Sequence, residues 1–362
     1  MTLTAPSRAQ LLEHSLRVLL GGQAPSGAFV ASPHFPMYRY AWLRDGSFCA
    51  DALDRYGQHE AAARFHDWVC TTILSLGSRV TTATEAAAAG LAAAMLPTRF
   101  ELDGTEESGE DNWPNFQLDG YGTWLWAFAE HLRRTGRQPT SRESKGVTLV
   151  AEYLAAAGDQ PCYDCWEESV DRRHSSTLAA CAAGLHAAAQ LVSEPAFELA
   201  ASRLTQVLSV DLVKNGSWVK HDGTTEVDAS LLWLALPFQV VAVNDHRFMR
   251  TLDRICGELR ADSGGVRRYR GDTFYGGGEW VLLTAWLAWV LNATGRHDHA
   301  IACLAWVEKA ATAALDLPEQ TLGHVQHPER IAEWVDRWGP PATPLLWSHA
   351  MHLVALDEMG LR

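Results

Sequence analysis

Two carboxylate sites are the residues of this chain whose types and spacing could do chemistry. Glu167 and Glu168 follow Trp166 directly, and Glu319 stands alone in the segment Leu317-Pro-Glu-Gln320. Cleavage of a glycosidic bond needs one protonated carboxyl group to assist the leaving oxygen and one ionised carboxylate to activate water or attack carbon. Aromatic side chains next to these acids could hold the apolar face of a sugar ring. The pattern therefore suggests acid/base chemistry on a sugar.

Helices must position these residues, because apolar residues recur at helical spacing along most of the chain and strand signals are few. The predicted helices are, approximately, residues 7–20, 43–56, 59–76, 83–95, 119–135, 144–157, 175–192, 195–209, 227–236, 245–260, 279–294, 297–313 and 344–358. Gly57, Gly136 and Gly295 separate consecutive helices, where a helix C-terminus favours a left-handed residue. These junctions predict tight helical hairpins.

The hairpins favour a fold in which helix pairs repeat. The segment around Gly57 resembles the one around Gly295, which indicates a weak internal repeat. Six pairs could close into an α/α toroid, whereas an open array would form a solenoid, and periodicity alone leaves both open. The connections rich in Trp, Arg and acids are residues 33–45, 98–118, 160–174, 262–280 and 316–343. Long loops are usually functional, so loops gathered at one end of a toroid would build a pocket.

The composition excludes several classes of protein. With 362 residues and 47% hydrophobic content, the chain can bury a large core, and since no flexible linker divides it we expect one domain over residues 1–362. The formal charge of -13 argues against a nucleic-acid partner, which requires clustered Lys and Arg. The N-terminus lacks a secretory signal pattern, and the apolar stretches are interrupted too often to span a bilayer. We therefore expect a cytoplasmic protein with no membrane partner.

The cysteines and tryptophans add further expectations. Seven cysteines, an odd number, do not fit the disulfide framework of a secreted protein. Cys162 and Cys165 form a CxxC pair, but no second pair or nearby His completes a zinc set, so we expect neither a metal nor a cofactor. The 15 Trp residues exceed the needs of an ordinary core. We expect several of them to line a carbohydrate cleft and at least half to be core or interface residues.

Six motifs, taken in their order along the chain, carry a family resemblance. They are Tyr38-Arg-Tyr-Ala-Trp-Leu-Arg-Asp45, Asn115-Phe-Gln-Leu-Asp-Gly-Tyr-Gly122, Trp166-Glu-Glu168, Arg268-Tyr269 with Asp272-Thr-Phe-Tyr275, Leu317-Pro-Glu-Gln320 and Trp347-Ser-His349. The chain resembles glycoside hydrolase family 15, the glucoamylase-like enzymes, from about residue 25 onward. The resemblance implies an all-α (α/α)6 barrel with long loops at one end. It also implies removal of glucose from the non-reducing end of an α-linked substrate, with inversion.

The resemblance implies roles for the acids. Glu167 matches the general acid, Glu319 the general base, Glu168 a residue that binds the leaving sugar, and Tyr38 a tyrosine beside the catalytic water. Without the resemblance, adjacent acids would be interpreted as a solvated surface or a helix N-terminus, and Glu319 as an ordinary loop acid. Inversion requires carboxyl groups about 6.5–9.5 Å apart, with a raised pKa for the acid and an ionised base. The sequence leaves these requirements open.

The resemblance also assigns side chains to the sugar. Arg44 and Asp45 offer a fork of donors and an acceptor for the hydroxyls of a terminal glucose. The other residues implied at the substrate are Trp42 and Trp347 beside the terminal glucose, Trp166 before the acid, and Trp113, Glu168, Arg268 and Trp280 at the leaving sugar. Taken alone, Arg44 with Asp45 would fit a helix-cap ion pair, Arg268 a solvated side chain, and each Trp a core residue.

Phe274 departs from the family pattern. Many members carry Tyr at this position of Asp272-Thr-Phe-Tyr275, so a hydroxyl that could bond to another pocket residue such as Tyr38 is absent. We therefore expect Phe274 to modulate proton transfer.

The chain begins almost directly with the predicted barrel, which favours short oligosaccharides over polymers as partners. Small α-1,6-linked glucosides such as isomaltose fit best by analogy with family members of this reduced layout. Trehalose and maltose stay open, because only the subsite for the leaving sugar would differ. A non-catalytic carbohydrate-binding helical protein is an alternative of another class, and the oligomeric state stays open.

Overall fold

The computed structural model describes residues 7–89, 95–107 and 116–362. The helices in these residues are α1 (Arg8–Gly21), α2 (Leu43–Arg55), α3 (His59–Leu76), α4 (Ser78–Ala88), α5 (Asp119–Thr135), α6 (Ser141–Ala157), α7 (Ser175–Val192), α8 (Pro195–Asp211), α9 (His246–Glu258), α10 (Val281–Ala293), α11 (His297–Lys309), α12 (Ile331–Trp338) and α13 (Leu346–Glu358). Local signals set several boundaries: Ser7 and Thr140 form capping boxes before α1 and α6, and Gly136 ends α5 in the left-handed conformation.

Six elements close into an inner ring. Along this ring α2 packs on α5, α5 on α7, α7 on the 3-10 segment Ala229–Leu234, that segment on α10, α10 on α13, and α13 on α2. The elements between them in the chain lie outside: α1 packs on α13, α3 on α2, α6 and α8 on α7, α9 on the 3-10 segment and α11 on α10. This alternation of outer and inner elements is the (α/α)6 barrel expected from the sequence, and it excludes the open solenoid.

The ring is closed by helices that approach one another closely. Residues 281–291 of α10 are buried on all sides, as expected for a helix with apolar residues around its whole circumference. A Cβ atom built on Gly122 of α5 would lie 2.3 Å from the carbonyl oxygen of Ala180 in α7. A Cβ atom on Gly184 of α7 would lie 2.5 Å from the carbonyl oxygen of Gly122. Glycine at both positions therefore lets the two backbones touch.

Short strand pairs hold the loops at one end of the ring. Strand β1 (Ala41–Trp42) pairs with β2 (Arg99–Phe100) and leads directly into α2. Strands β3 (Val213–Lys214) and β4 (Ser217–Trp218) form a second antiparallel pair. Strand β5 (Glu279–Trp280) leads into α10 and pairs with β6 (Gln320–Thr321). The loops that carry the sequence motifs therefore gather at the N-terminal ends of the inner helices α2 and α10.

The structure corrects four predicted elements. The predicted helix 227–236 is the 3-10 segment Ala229–Leu234, since Asp228 caps its start and Pro237 has no N–H to continue a helix. The predicted loop 316–343 contains α12, a short helix whose Ile, Trp and Val residues stand at helical spacing. The predicted helix 83–95 begins earlier, at Ser78, and the predicted helix 297–313 ends at Lys309.

No helix within residues 7–89, 95–107 and 116–362 is both long enough and apolar enough to cross a membrane. All seven cysteines lie in these residues and none of them forms a disulfide. Cys162 and Cys165 of the CxxC pair are buried.

Candidate active site

A cavity of about 900 Å³ opens at the loop end of the barrel. Both carboxylate sites face it, together with aromatic and basic side chains from loops far apart in the sequence. The residues expected at the site that line this cavity are Tyr38, Trp42, Arg44, Asp45, Trp166, Glu167, Glu168, Arg268, Phe274, Trp280, Glu319 and Trp347. The structure thus brings together every expected residue that it describes, while Trp113 lies outside the described residues.

A tight turn aims Glu167 into the cavity. The Oδ1 atom of Asp164 accepts hydrogen bonds from the backbone N–H groups of Trp166 and Glu168, each at 2.9 Å. Glu167 and Ser169 have φ angles of 67° and 52°, which residues with a side chain adopt infrequently. Such conformations often accompany functional sites, because the surrounding structure must enforce them. The Trp-Glu-Glu motif therefore owes its geometry to Asp164.

Two donors hold the Glu167 carboxylate. Its Oε1 atom accepts hydrogen bonds from Nε1 of Trp42 and from Nε2 of Gln117, each at 2.9 Å. Gln117 also accepts a 2.7 Å bond from Arg44. Sequence reasoning missed Gln117, although it stands inside a motif that carried the family resemblance. These two bonds fix the carboxylate of the half-buried Glu167 in one orientation.

Glu319 lies at the junction of two strands, where its backbone is tied to Ala342 and Val281. Its side chain is 2% exposed, and its Oε1 atom accepts a 3.0 Å hydrogen bond from the hydroxyl of Tyr38. Burial raises the pKa of Glu319 to about 7, while the bond from Tyr38 and the nearby charge of Arg268 act in the opposite direction. A carboxyl group with this pKa can exchange a proton near neutral pH.

The first turn of α2 presents a charged pair to the cavity. Arg44 donates to Asp119 at 3.1 Å, and its guanidinium lies 5.3 Å from the ring centre of Trp347. Asp45 lies 3.4 Å from the Nε atom of Arg44. Burial raises the pKa of Asp45 to about 6, and the charge of Arg44 opposes this rise. The pair therefore offers both donors and acceptors to a buried polyhydroxyl ligand.

Two cations and a tyrosine hydroxyl surround Glu168. Its carboxylate accepts bonds from Arg268 at 3.2 Å, from the Tyr269 hydroxyl at 2.6 Å and from Lys220 at 3.3 Å. Two bonds of 2.7 and 2.6 Å to Asp272 fix Arg268. Lys220 was missed by sequence reasoning, because no motif surrounds it. With three protein donors already bound, Glu168 is suited to orienting the wall of the cavity.

Aromatic rings of Trp166, Trp280 and Trp347 line the cavity. Trp166 and Trp280 lie with ring centres 5.2 Å apart, and Trp166 donates to Asp228 at 3.0 Å. Trp347 stacks on Phe48 with an angle of 8° between the rings. These rings expose flat apolar faces of the kind that pack against sugars.

Helix α12 closes one side of the cavity and was not foreseen from the sequence. Trp334, Arg337 and Trp338 of this helix line the cavity. The ring of Phe274 lies 5.0 Å from Trp334 and 6.2 Å from Trp338. Trp334 also donates a 2.9 Å bond to the carbonyl oxygen of Thr273, which ties the helix to the loop of Phe274. Phe274 is thus part of a continuous aromatic wall.

Comparison with known proteins gives consistent results. The model of the family described as glycosyl hydrolases family 15 matches residues 5–333. The isomaltose glucohydrolase of Kribbella flavida is 44% identical over 362 residues, which cover 97% of this chain and 93% of that protein. A solved glycosidase, a glutamate-to-alanine variant in complex with glucose, is 43% identical with a TM-score of 0.92, covering 97% of this chain and 96% of that chain. A bacterial glucoamylase complexed with acarbose has 19% identity and a TM-score of 0.76, covering 96% of this chain and 55% of that chain, a likeness of fold alone.

Proposed function

The chain belongs to the glycosyl hydrolases of family 15 and is an exo-acting α-glucosidase, and from that premise we propose that it hydrolyses short α-1,6-linked glucosides such as isomaltose. In this proposal β-glucose leaves the non-reducing end of the substrate. The observation that carries it is the pair of separately held carboxylates, Glu167 and Glu319, that line one aromatic cavity. The 44% identity to an isomaltose glucohydrolase supports the choice of substrate. Family membership also displaces the non-catalytic alternative.

The proposed reaction divides two proton transfers between these carboxylates. Glu167 donates its proton to the glycosidic oxygen as the bond to the anomeric carbon breaks. Glu319 accepts a proton from a water molecule whose oxygen attacks the same carbon from the opposite face, which inverts its configuration. The Tyr38 hydroxyl orients Glu319, and the indole of Trp42 orients Glu167. With a pKa of about 7, Glu319 is half ionised at neutral pH and is ionised, as the proposed base must be, above that pH.

We assign the terminal glucose to the part of the cavity formed by α2 and α13. Arg44 and Asp45 there provide charged hydrogen-bonding groups, and Trp42 and Trp347 provide apolar surface. Arg44 and Asp45 are almost fully buried. A bound sugar that lacks the matching hydroxyls would therefore leave polar atoms of these two side chains without a hydrogen-bond partner.

We assign the leaving sugar to the opposite wall. Glu168, Arg268 and Trp280 line this wall, and Phe274 continues it towards α12. The sequence also placed Trp113 at this subsite, and that assignment stays a prediction. Phe274, Trp334 and Trp338 line the same cavity, and in this proposal their wall limits the space for further sugar units and favours short substrates.

Proton NMR of the purified protein with isomaltose, maltose, trehalose and isomaltotriose tests this proposal. We expect isomaltose to disappear fastest, with β-glucose as the first anomer released. Early α-glucose would overturn the role of Glu319 as base, and faster turnover of trehalose or maltose would overturn the preferred linkage. Release of glucose from none of the four would overturn the proposed class of substrate.

Substitution of each carboxylate tests its proposed catalytic role in the same assay. Glu167→Gln and Glu319→Gln should each reduce kcat by at least about 100-fold while the circular dichroism spectrum is retained. Glu13→Gln, at an exposed position of α1, is the matched control and should keep the activity of the parent protein. Nearly full activity in either active-site variant would contradict the assigned role.

A further inference from the structure

A second cluster of polar side chains lies at the other end of the inner helices. Asp54 belongs to the last turn of α2, His131 to the C-terminal part of α5, and His66 to the outer helix α3. At roughly 1.5 Å of rise per residue, about 14 Å of α2 separates Asp54 from Asp45 at the sugar cavity. The cluster is therefore separate from the catalytic machinery.

The three side chains converge on one point. One potential ligand atom from each lies within 4.8 Å of those of the other two. Oδ2 of Asp54 lies 2.8 Å from Nδ1 of His131, and the rings of His66 and His131 are 5.0 Å apart. Asp54 is 3% exposed and both histidines are 1% exposed. Two imidazoles and a carboxylate are thus held together inside the helix layers.

His66 has no hydrogen-bond partner at either ring nitrogen within the described part of the chain. A neutral imidazole carries one N–H group and one lone pair, so both of its polar functions are left without a partner there. Burial of such a group without a partner costs on the order of 1–3 kcal/mol. The ring nitrogens of His66 therefore indicate that the cluster binds a ligand.

We propose that Asp54, His66 and His131 bind a divalent transition-metal ion, of which Zn²⁺ suits two imidazoles and one carboxylate best. Zinc sites with three protein ligands of these types complete their coordination with a fourth group. A water molecule can supply this fourth group. The bound ion would join the inner helices α2 and α5 to the outer helix α3.

A surface cavity borders the cluster on the side of Asp54. This cavity of about 510 Å³ is lined by Asp54 and His59. Arg55, Arg134 and Arg362 line the same cavity, and their charges oppose binding of a cation. Arg55 and Arg134, however, pair with Asp51 at 2.8 and 2.6 Å, and Arg55 and Arg362 pair with Asp357. The two oxygens of Asp54 lie 2.8 Å from His59 and His131, so a bound ion would replace the contact with His131.

A similar cluster of His14, Asp316 and His349 provides an internal contrast. The Nδ1 atom of His349 lies 2.9 Å from the hydroxyl of Ser15, and its Nε2 atom accepts a 2.9 Å bond from the backbone N–H of Leu317. Both nitrogens are therefore used by the protein itself. This cluster needs no ion to satisfy His349, and a His14 variant serves as the matched control.

Equilibrium dialysis of the metal-free protein against Zn²⁺, followed by metal analysis, tests the proposal. Titration with Co²⁺, read from its visible absorption, reports the ligand geometry. The parent protein and His14→Gln should bind one equivalent, whereas His66→Gln should bind at least about 10-fold more weakly. Absence of stoichiometric binding by the parent protein, or equal binding by His66→Gln, overturns the proposal. Loss of binding in His14→Gln overturns the assigned location.

A measurement on the unaltered protein covers the case in which His66→Gln does not fold. Nitrogen-15 NMR of the histidine rings, recorded before and after addition of one equivalent of Zn²⁺, should show a shift of one ring nitrogen in both His66 and His131. Unshifted nitrogens would show that the cluster holds protons or water instead of a metal. Asp54→Asn, which keeps the side-chain volume but removes the charge, should weaken Zn²⁺ binding in the same direction.

Discussion

At the scale of single residues, the environment of Glu319 links catalysis to pH. The proposed base must be ionised to accept a proton, and burial raises the pKa of Glu319 to about 7, so we expect kcat/KM to rise as the pH increases through this value. The hydrogen bond from Tyr38 stabilises the ionised form and therefore keeps this pKa from rising further.

Replacement of Tyr38 by Phe removes the hydrogen bond to Glu319. In Tyr38→Phe the pKa of Glu319 should rise, so the acidic limb of the kcat/KM profile should move to higher pH by about one unit. The pH dependence of isomaltose hydrolysis measures this shift. Tyr56→Phe is the control, because its hydroxyl donates to the Leu353 carbonyl in another part of the barrel. A lower kcat with an unmoved limb would instead assign Tyr38 to the attacking water.

The buried carboxylate of Glu319 should also lower the free energy of unfolding at neutral pH. The folded-state pKa of about 7 lies above the ordinary value of 4.5, so the folded protein binds this proton more tightly than the unfolded chain does. The stability cost is absent below pH 4.5, grows as the pH rises towards 7, and amounts to about 3 kcal/mol above that pH.

Replacement of Glu319 tests this linkage. Glu319→Gln should be more stable than the parent protein by up to about 3 kcal/mol at pH 8, with the difference vanishing near pH 4.5. Urea unfolding at several pH values measures it. Glu13→Gln should show no such trend, since Glu13 is exposed. A stability difference that stays constant with pH would exclude ionisation as the cause.

At the scale of elements, the contact of α5 with α7 depends on glycine. Gly184→Ala places a methyl group 2.5 Å from the carbonyl oxygen of Gly122. This clash can be relieved only if α5 and α7 move apart. We expect a loss of about 1–3 kcal/mol in the free energy of unfolding, measured by urea denaturation. Gly257→Ala in α9 is the matched control, because nothing lies within 4 Å of the added atom and the helix should gain stability. Equal effects of the two changes would contradict the role of close packing.

The wall formed by α12 should act on substrate binding. Trp334→Ala removes both the bond to Thr273 and the ring that supports Phe274. We expect KM for isomaltose to rise by about 10-fold, with a smaller change in kcat, because the proposed proton-transfer groups are left in place. Steady-state kinetics on isomaltose and isomaltotriose measure both constants. Val335→Ala, on the exposed side of the same helix, should change neither, and an unaltered KM in Trp334→Ala would separate α12 from the leaving sugar.

The predicted elements differ from the observed ones for identifiable reasons. Long helices such as α5 carry a strong apolar period and a glycine stop, so their bounds were predictable. Helix α12 is short and lies between Pro328 and Gly339, where turn signals conceal its period. Gln117 donates to Glu167 and Lys220 donates to Glu168, each from a distant loop. Such contacts cannot be predicted from the spacing of residues along the sequence. Sequence thus indicated which side chains line the cavity better than how they are held.

At the scale of the whole molecule, the family resemblance predicted a closed barrel, which helical periodicity alone did not. Helical spacing left a toroid and a solenoid equally open, and the contact of α13 with α2 decides for the closed ring. The single domain over residues 1–362, the cytoplasmic location and the role of Trp113 stay predictions.

Closure of the ring also has a consequence for biosynthesis. Helices α2 and α13 begin at Leu43 and Leu346, so roughly 300 residues separate two neighbours of the inner ring. At about 5–20 residues per second, α2 leaves the ribosome about 15–60 s before its last partner is made. During that interval its apolar side is uncovered, and neither Trp347 nor Glu319 exists to complete the cavity. The growing chain is therefore inactive until α13 has been made, and the uncovered side of α2 is open to aggregation in the meantime.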